Sequence, residues 1–180
     1  MRYRAANNRG VRASQAEAGA LLTSPGDVVV VERGTPRLLV MNCPDGCGEV
    51  LRINLDRRAG KAWRLYRDET GISLYPSVWR DTGCRSHFIL WSDGIYWNDG
   101  HDRIYPSERD EELKSAVLIQ LDRARFSTAE EIADRVGIVP WAAARIAETL
   151  SRTGEAEARL FGLERRYRRG DPARPPPPQN

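Results

Sequence analysis

The chain has 180 residues, of which 41% are hydrophobic and 29% charged, and its formal net charge is +3. This length is sufficient for one larger or two smaller hydrophobic cores. No apolar run reaches membrane-spanning length, and no hydrophobic segment follows the N-terminal arginines, so we expect a soluble, cytoplasmic protein with no membrane partner. The small net charge does not by itself require nucleic acid.

The first half of the chain has the pattern of a β domain. The polar, arginine-rich residues 1–20 and the proline-rich residues 170–180 are expected to be flexible tails. Residues 21–106 contain short β-branched and aromatic runs separated by glycine turns, which predicts a small, mostly antiparallel β domain. The predicted strands are residues 27–32, 37–41, 49–55, 62–67, 72–75, 88–91 and 94–97.

The hydrophobic pattern becomes helical after residue 106. A first helix is predicted by apolar residues that share one face, namely Leu113, Val117, Leu118 and Leu121. A capping-box pattern from Ser127 to Glu130 predicts the start of a second helix, and Pro140 suits the first turn of a third. Two short strands follow, so residues 107–169 are predicted to form a winged helix-turn-helix-like domain. The expected fold class is therefore α+β. The predicted strands of the wing are residues 155–160 and 163–168.

Two short clusters contain all three cysteines of the chain. Cys43 and Cys47 form the first, and Cys84 lies with His87 in the second. Zn²⁺ prefers thiolate and imidazole ligands, and four of them complete a tetrahedral shell, so the pattern predicts a closed Cys3His zinc site. Asp45, between the first two ligands, is either a spare ligand or a turn residue. The competing interpretation is that the cysteines are small buried hydrophobic residues.

Residues suited to serine hydrolysis are also present. Ser77, His87 and a nearby acid such as Asp81 are the residue types of a catalytic triad. Assignment of His87 to zinc removes it as the base, although the pair His101-Asp102 could replace it. Residue types without known geometry do not establish a triad.

A metal-dependent hydrolase is a second enzymatic alternative. If the zinc ion kept an open coordination position, Asp45 or Glu49 could act as general base for a bound water. Three thiolates make zinc a poor Lewis acid, and a fourth ligand would close the shell. The sequence therefore favours a non-catalytic role over either hydrolase.

Clustered arginines suggest a nucleic-acid alternative. Arg64 and Arg67 alternate with aromatic residues, as in single-strand binders, although an amphipathic strand explains the same pattern. In the predicted winged helix, Arg145 is one of few polar residues on the third helix, which disfavours base readout. Arginines of the predicted wing keep phosphate contacts open. They are Arg165, Arg166 and Arg168.

Four segments between residues 24 and 97 form a further pattern. They are Pro25-Gly-Asp-Val28, Cys43-Pro-Asp-Gly-Cys-Gly-Glu-Val50, Ser73-Leu-Tyr-Pro-Ser-Val-Trp79 and Gly83-Cys-Arg-Ser-His-Phe88. Together they resemble a bacterial family of zinc-cluster proteins of unknown function. Some members are encoded beside ubiquitin-like modifiers and their E1-like, E2-like and JAB peptidase partners. The family often has a further cysteine where Asp45 stands here.

This resemblance implies an accessory role in bacterial ubiquitin-like conjugation or in a defence operon. Combined with a closed zinc site, it makes a non-catalytic zinc-stabilised adaptor the leading interpretation. The expected partner is a protein, either the ubiquitin-like modifier or its E1-like or E2-like enzymes. A nucleic-acid-binding regulator and a metal- or serine-dependent hydrolase or peptidase are the alternatives.

Overall fold

The computed structural model describes residues 4–97 and 108–171, the side chains of residues 108 and 109 excepted. The chain divides into two units, residues 1–103 and 104–180. Each unit has its own core of buried apolar side chains. Within the described ranges, no helix is long and apolar enough to cross a membrane.

The first unit contains a four-stranded sheet in the order β1-β2-β3-β4. The strands β2 (Asp27–Arg33), β3 (Thr35–Asn42) and β4 (Val50–Asn54) are antiparallel to one another in sequence order. The edge strand β1 (Asn7–Arg12) instead pairs parallel to β2. A short helix, α1 (Gln15–Gly19), connects β1 to β2 through a loop.

The consecutive valines of β2 are buried because both faces of this strand are covered. Val28 and Val30 pack into the main core of the unit, whereas Val29 and Val31 pack on the other face with Ala18 of α1. Successive side chains of a strand point to opposite faces. A continuous apolar run is therefore typical of a strand that is covered on two sides.

The predicted flexible tail over residues 1–20 is wrong for the residues that the structure describes. Residues 7–12 form β1, and Ser14 is the N-cap of α1, where its side chain accepts a hydrogen bond from the backbone of Glu17. Most side chains of β1 are exposed, so its order depends on backbone pairing with β2. Such a polar strand leaves little hydrophobic pattern in the sequence.

The rest of the first unit consists of two smaller sheets. An antiparallel pair is formed by β5 (Arg64–Asp68) and β6 (Gly71–Tyr75). The other sheet has the order β7-β8-β9, with β7 (Val78–Trp79) at the edge, β8 (His87–Trp91) in the centre and β9 (Gly94–Trp97) beyond it. The side chains that join these sheets to the main core include Ile72, Leu74, Phe88, Leu90, Ile95 and Trp97.

The described part of the second unit contains three helices and a three-stranded sheet in the order β10-β12-β11. Its core joins the helices to the sheet and includes Ile132, Ile146, Leu150 and Tyr167. The molecule is thus α+β with mostly antiparallel strands, as predicted. In chain order the elements are α2 (Glu108–Gln120), β10 (Ser127–Thr128), α3 (Ala129–Val136), α4 (Pro140–Arg152), β11 (Ala156–Phe161) and β12 (Glu164–Arg169).

The sequence signals for the last two helices agree closely with the structure. The capping box of α3 is present but lies one residue later than predicted: the Thr128 hydroxyl accepts from Glu131 N, and the Glu131 carboxylate accepts from Thr128 N. Pro140 occupies the first turn of α4, as predicted. The proline run of the predicted C-terminal tail lies outside the described residues.

The carboxylate of Asp27, at the start of β2, is fully buried and accepts several hydrogen bonds. Its oxygens accept from the backbone N–H groups of Thr23 at 2.9 Å and Ser24 at 2.8 Å, and from Arg9 Nε at 3.0 Å. Burial raises the pKa of Asp27, but these donors outweigh burial and hold the pKa below its ordinary value. The charged carboxylate therefore stabilises the turn that leads into β2.

Asp27→Asn is expected to lower the free energy of unfolding by about 1–3 kcal/mol, because buried N–H donors lose a charged acceptor. A lowered folded-state pKa means that this stability is present above the unfolded-state pKa and is lost as pH falls through the folded-state value. Urea unfolding of wild type and Asp27→Asn should therefore show a difference in the free energy of unfolding near neutral pH. This difference should become smaller below about pH 4. The exposed Asp81→Asn is the control; an equal loss there would contradict the role of Asp27.

Candidate functional site

Ser77 and His87 lie together where β7 pairs with β8. Ser77 directly precedes β7, and His87 is the first residue of β8. The Ser77 Oγ atom is 2.9 Å from His87 Nε2, and both residues are half-buried. This distance is within the hydrogen-bond reach that a serine nucleophile and its general base require. We call Ser77 and His87 the reactive pair.

The register of β7 against β8 explains this geometry. Val78 pairs with Phe88, and Trp79 pairs with His87. Val78 and Phe88 are buried in the core, so the alternation of side chains places Ser77, Trp79 and His87 together on the opposite face. The rings of Trp79 and His87 are stacked, with centroids 5.9 Å apart and planes inclined by 27°. The stack restrains the orientation of the imidazole.

A second tryptophan holds the backbone at Ser77. The indole Nε1 of Trp63 donates a hydrogen bond to the carbonyl oxygen of Ser77 at 3.2 Å. Trp63 is partly buried and packs against the core of the first unit. Ser77 is thus held through its backbone carbonyl by Trp63 and through its hydroxyl by His87.

The predicted acid of the triad is not part of this arrangement. Asp81 is exposed, and the structure records no hydrogen bond or ion pair for it within the described residues. The alternative pair His101-Asp102 lies outside the described residues. The geometry therefore supports the serine and the histidine of the sequence hypothesis, and does not support Asp81.

The three cysteines meet at one point. The Sγ atoms of Cys43, Cys47 and Cys84 all lie within 4.8 Å of one another, and those of Cys43 and Cys84 are 3.6 Å apart. Tetrahedral zinc with bonds of about 2.3 Å places its sulfur ligands ~3.8 Å apart, so these positions fit a metal ion. The Asp45 carboxylate is not part of this group of ligand atoms. We call Cys43, Cys47 and Cys84 the cysteine cluster.

The prediction that His87 completes a Cys3His site is wrong. The group of ligand atoms contains the three cysteines alone within the described residues, and His87 Nε2 contacts Ser77 instead. The physical reason is that β8 begins at His87, whose pairing with Trp79 directs the imidazole to the face of the reactive pair. Ser86 lies nearer the sulfurs, with its hydroxyl 3.7 Å from Cys43 Sγ.

Arg80 lies against the cysteine cluster, a contact that sequence reasoning missed. Its Nη1 is 3.1 Å from Cys84 Sγ and 3.6 Å from Cys47 Sγ, and its Nη2 forms an ion pair with Glu49. A divalent ion with three thiolates has a net charge of about −1, which this guanidinium would offset. Glu49 is engaged by Arg80, so the structure gives no support to its predicted role as a general base.

The thiols of the cluster differ in acidity. Burial raises the pKa of Cys43 to about 11. Burial also acts to raise the pKa of Cys84, but hydrogen bonds from Ser86 and from the neighbouring cysteines outweigh it and lower this pKa to about 7. Thiolate is the form that binds metal, so Cys84 is more easily converted to a ligand than Cys43.

The arginines proposed for nucleic-acid binding are mostly neutralised by carboxylates. The guanidinium of Arg64 also lies over the ring of Tyr66, at 5.4 Å from the centroid. The ion pairs weaken the electrostatic case for phosphate binding, which stays a prediction. The pairs are Arg67–Glu32 at 2.8 Å, Arg145–Asp110 at 2.5 Å, Arg165–Glu148 at 2.9 Å, Arg166–Glu164 at 2.8 Å and Arg168–Glu157 at 2.5 Å.

Comparison with known families gives one match. A family described as "Bacterial ubiquitination-like system serine protease (BubE)" matches residues 15–98, a little under half of the chain. Searches among curated proteins and among solved structures found no match. The matched range contains the reactive pair and the cysteine cluster, and it links the chain to bacterial ubiquitin-like conjugation. The second unit lies outside the match.

The leading interpretation from the sequence, a non-catalytic adaptor, is wrong. The matched family is named as a serine protease, which agrees with the serine-hydrolase alternative. The error came from His87: its assignment to zinc removed the only histidine close to Ser77 in sequence. The structure instead places His87 Nε2 beside the serine hydroxyl.

The arginine ion pairs predict weak and unspecific binding to nucleic acid. Arg165→Glu combined with Arg166→Glu is expected to change the affinity for a short DNA duplex by less than about threefold at ~150 mM salt, because both charges are already paired on the surface. Fluorescence anisotropy at two salt concentrations measures this, with Arg64→Glu as a comparison. A steep salt dependence that the double variant abolishes would contradict the expectation.

Proposed function

We propose that this chain is a serine hydrolase of a bacterial ubiquitination-like system, with Ser77 as nucleophile and His87 as general base. The 2.9 Å contact between Ser77 Oγ and His87 Nε2 carries the proposal. The family match, whose name contains both the protease and the conjugation system, supports it independently. The substrate class is then a protein conjugate or precursor of the ubiquitin-like modifier, and the modifier is the expected protein partner.

The reaction proceeds by acyl transfer to the serine. His87 Nε2 accepts the hydroxyl proton while Ser77 Oγ attacks the carbonyl carbon of the scissile bond, and the tetrahedral intermediate expels the leaving group, which takes that proton from His87. Water then attacks the acyl-enzyme, with His87 again removing a proton. The free acid leaves, and the hydroxyl of Ser77 is regenerated.

We also propose that the cysteine cluster binds zinc as a structural ion. The sulfur distances and the thiolate chemistry of the donors support this, and the ion would supply a cross-link between the end of β3 and the loop before β8. Arg80 contributes a compensating charge at the same place. His87 is not among the grouped ligand atoms, and its Nε2 contacts Ser77, so the serine chemistry does not require the ion as a reactant.

For residues 107–169 we keep the winged-helix assignment as a proposal. The order of one helix, a short strand, two helices and a β-hairpin supports it. The wing would be the hairpin of β11 and β12, and α4 would correspond to the third helix.

Ser77→Ala is expected to lower hydrolysis by at least about a thousandfold, and His87→Gln by on the order of a hundredfold or more. The double variant should be little worse than Ser77→Ala, because the two residues act as a unit. A fluorophosphonate probe tests this without a known substrate: it should label wild type at Ser77, as located by mass spectrometry.

The matched control is Glu49→Gln, which removes the acid of the metal-dependent alternative and should retain labelling. Labelling that persists unchanged in His87→Gln would contradict the assignment of the base. Loss of hydrolysis in Glu49→Gln with preserved fold would favour the metal-dependent alternative instead.

Measuring the zinc content of variants distinguishes a metal ligand, such as Cys84, from the proposed general base, His87. Wild type should hold about one zinc ion per chain, and Cys84→Ser should hold less than about a tenth of that, because a closed structural site tolerates loss of a thiolate poorly. His87→Gln should keep its zinc while it loses hydrolysis. Elemental analysis of the purified proteins provides the measurement. Loss of zinc from His87→Gln would indicate that His87 is a metal ligand and would contradict its assignment as the base.

A further inference from the structure

Trp79 is unusually exposed for a large aromatic side chain and lies directly beside the reactive pair. Its side chain is 71% exposed, yet its ring stacks on the imidazole of His87. Single exposed apolar residues are common on protein surfaces. Trp79 differs from them because its position, two residues from Ser77 and opposite His87, puts a flat apolar surface next to the bond that would be cleaved.

The backbone of Trp79 faces the open edge of its sheet. Arg80 N donates to Ser86 O at 2.9 Å, which makes Arg80 and Ser86 a hydrogen-bonded pair. Such pairs alternate along an antiparallel ladder, so Trp79 and His87 form a non-hydrogen-bonded pair. The N–H and C=O groups of Trp79 therefore point away from β8. Within the described residues, no other strand pairs with β7 on that side.

On the same edge, the backbone carbonyl of Ser77 already has a hydrogen-bond donor from within the protein. The carbonyl oxygen of Ser77 points to the same side as the backbone groups of Trp79, and it accepts the hydrogen bond from Trp63 Nε1. Trp63 thus marks one end of the open edge, and Trp79 provides the donor and acceptor beside it. An extended chain that pairs with Trp79 would run alongside β7, two residues from Ser77.

We propose that the open edge of β7 and the indole of Trp79 form a subsite for an extended peptide segment of the substrate. Backbone pairing at a sheet edge recognises any unfolded segment, and the indole face packs on its side chains or peptide groups. The inference rests on the proposed serine hydrolase and deepens it. The substrate class becomes a flexible, extended polypeptide segment, in contrast to a small ester or a folded surface.

Two kinds of covalent probe test the subsite. A small alkyl fluorophosphonate reports on the reactive pair alone, whereas a library of tetrapeptidyl phosphonates also reports on the subsite. We expect the best peptidyl probes to label wild type at least about tenfold faster than peptidyl probes with N-methylated backbones, because N-methylation removes the donors that pair with β7.

Trp79→Ala should reduce the ratio of peptidyl to small-probe labelling rates by about tenfold or more, as expected when an aromatic anchor is removed from a binding site. Trp79→Phe should retain most of this ratio because it keeps a flat ring. Val11→Ala, which removes an exposed apolar group on β1, is the control and should leave the ratio unchanged. Thermal melting of each variant confirms that the fold persists.

The possible failures are distinguishable. If the small probe does not label Ser77 in wild type, the proposed hydrolase itself fails. If the small probe labels Ser77 but no peptidyl probe is faster than its N-methylated form, or the ratio survives in Trp79→Ala, the hydrolase stands and the subsite is overturned.

Discussion

The register between β7 and β8 is the constraint on which the candidate site depends. Val78 and Phe88 face each other in the core, and Phe88 is fully buried. A slip by one residue would exchange the two faces, exposing Phe88 and burying the polar reactive pair. Full burial of a side chain such as Phe88 is worth about 1.5–3 kcal/mol, so the core strongly opposes that slip. The packing of the core thereby sets the distance between Ser77 Oγ and His87 Nε2.

The cysteine cluster contacts the same pair of strands at the loop that connects β7 to β8. Arg80 follows β7, Cys84 precedes β8, and a 3.1 Å contact joins them across the connecting loop. Cys43 contributes from the end of β3, so the cluster also links this loop to the four-stranded sheet. The hairpin that holds the reactive pair is thus fixed both by the buried Val78 and Phe88 and by the contact of Arg80 with Cys84.

Local patterns predicted most of the fold and only part of the site. The alternating strands from Asp27 onward, the α3 capping box and Pro140 in α4 are short-range features, and the sequence contains them directly. β1 is polar and is ordered by parallel pairing to a distant strand, which leaves no local pattern. The convergence of the three cysteines was predicted from spacing. The role of His87 was not, because a Cys-x-x-His spacing suits both a turn that binds metal and the start of a strand.

The site also shows why His87 cannot serve both the metal and the serine. A histidine ligand binds metal through a neutral ring nitrogen, and a general base needs that lone pair for a proton. Three thiolates, moreover, would leave zinc too electron-rich to be an effective Lewis acid. The structure separates the two requirements on nearby residues: Cys84 is in the cluster, and His87, three residues later at the start of β8, is with Ser77. Cys84 and His87 therefore belong to one hairpin, while the groups that they contact are different.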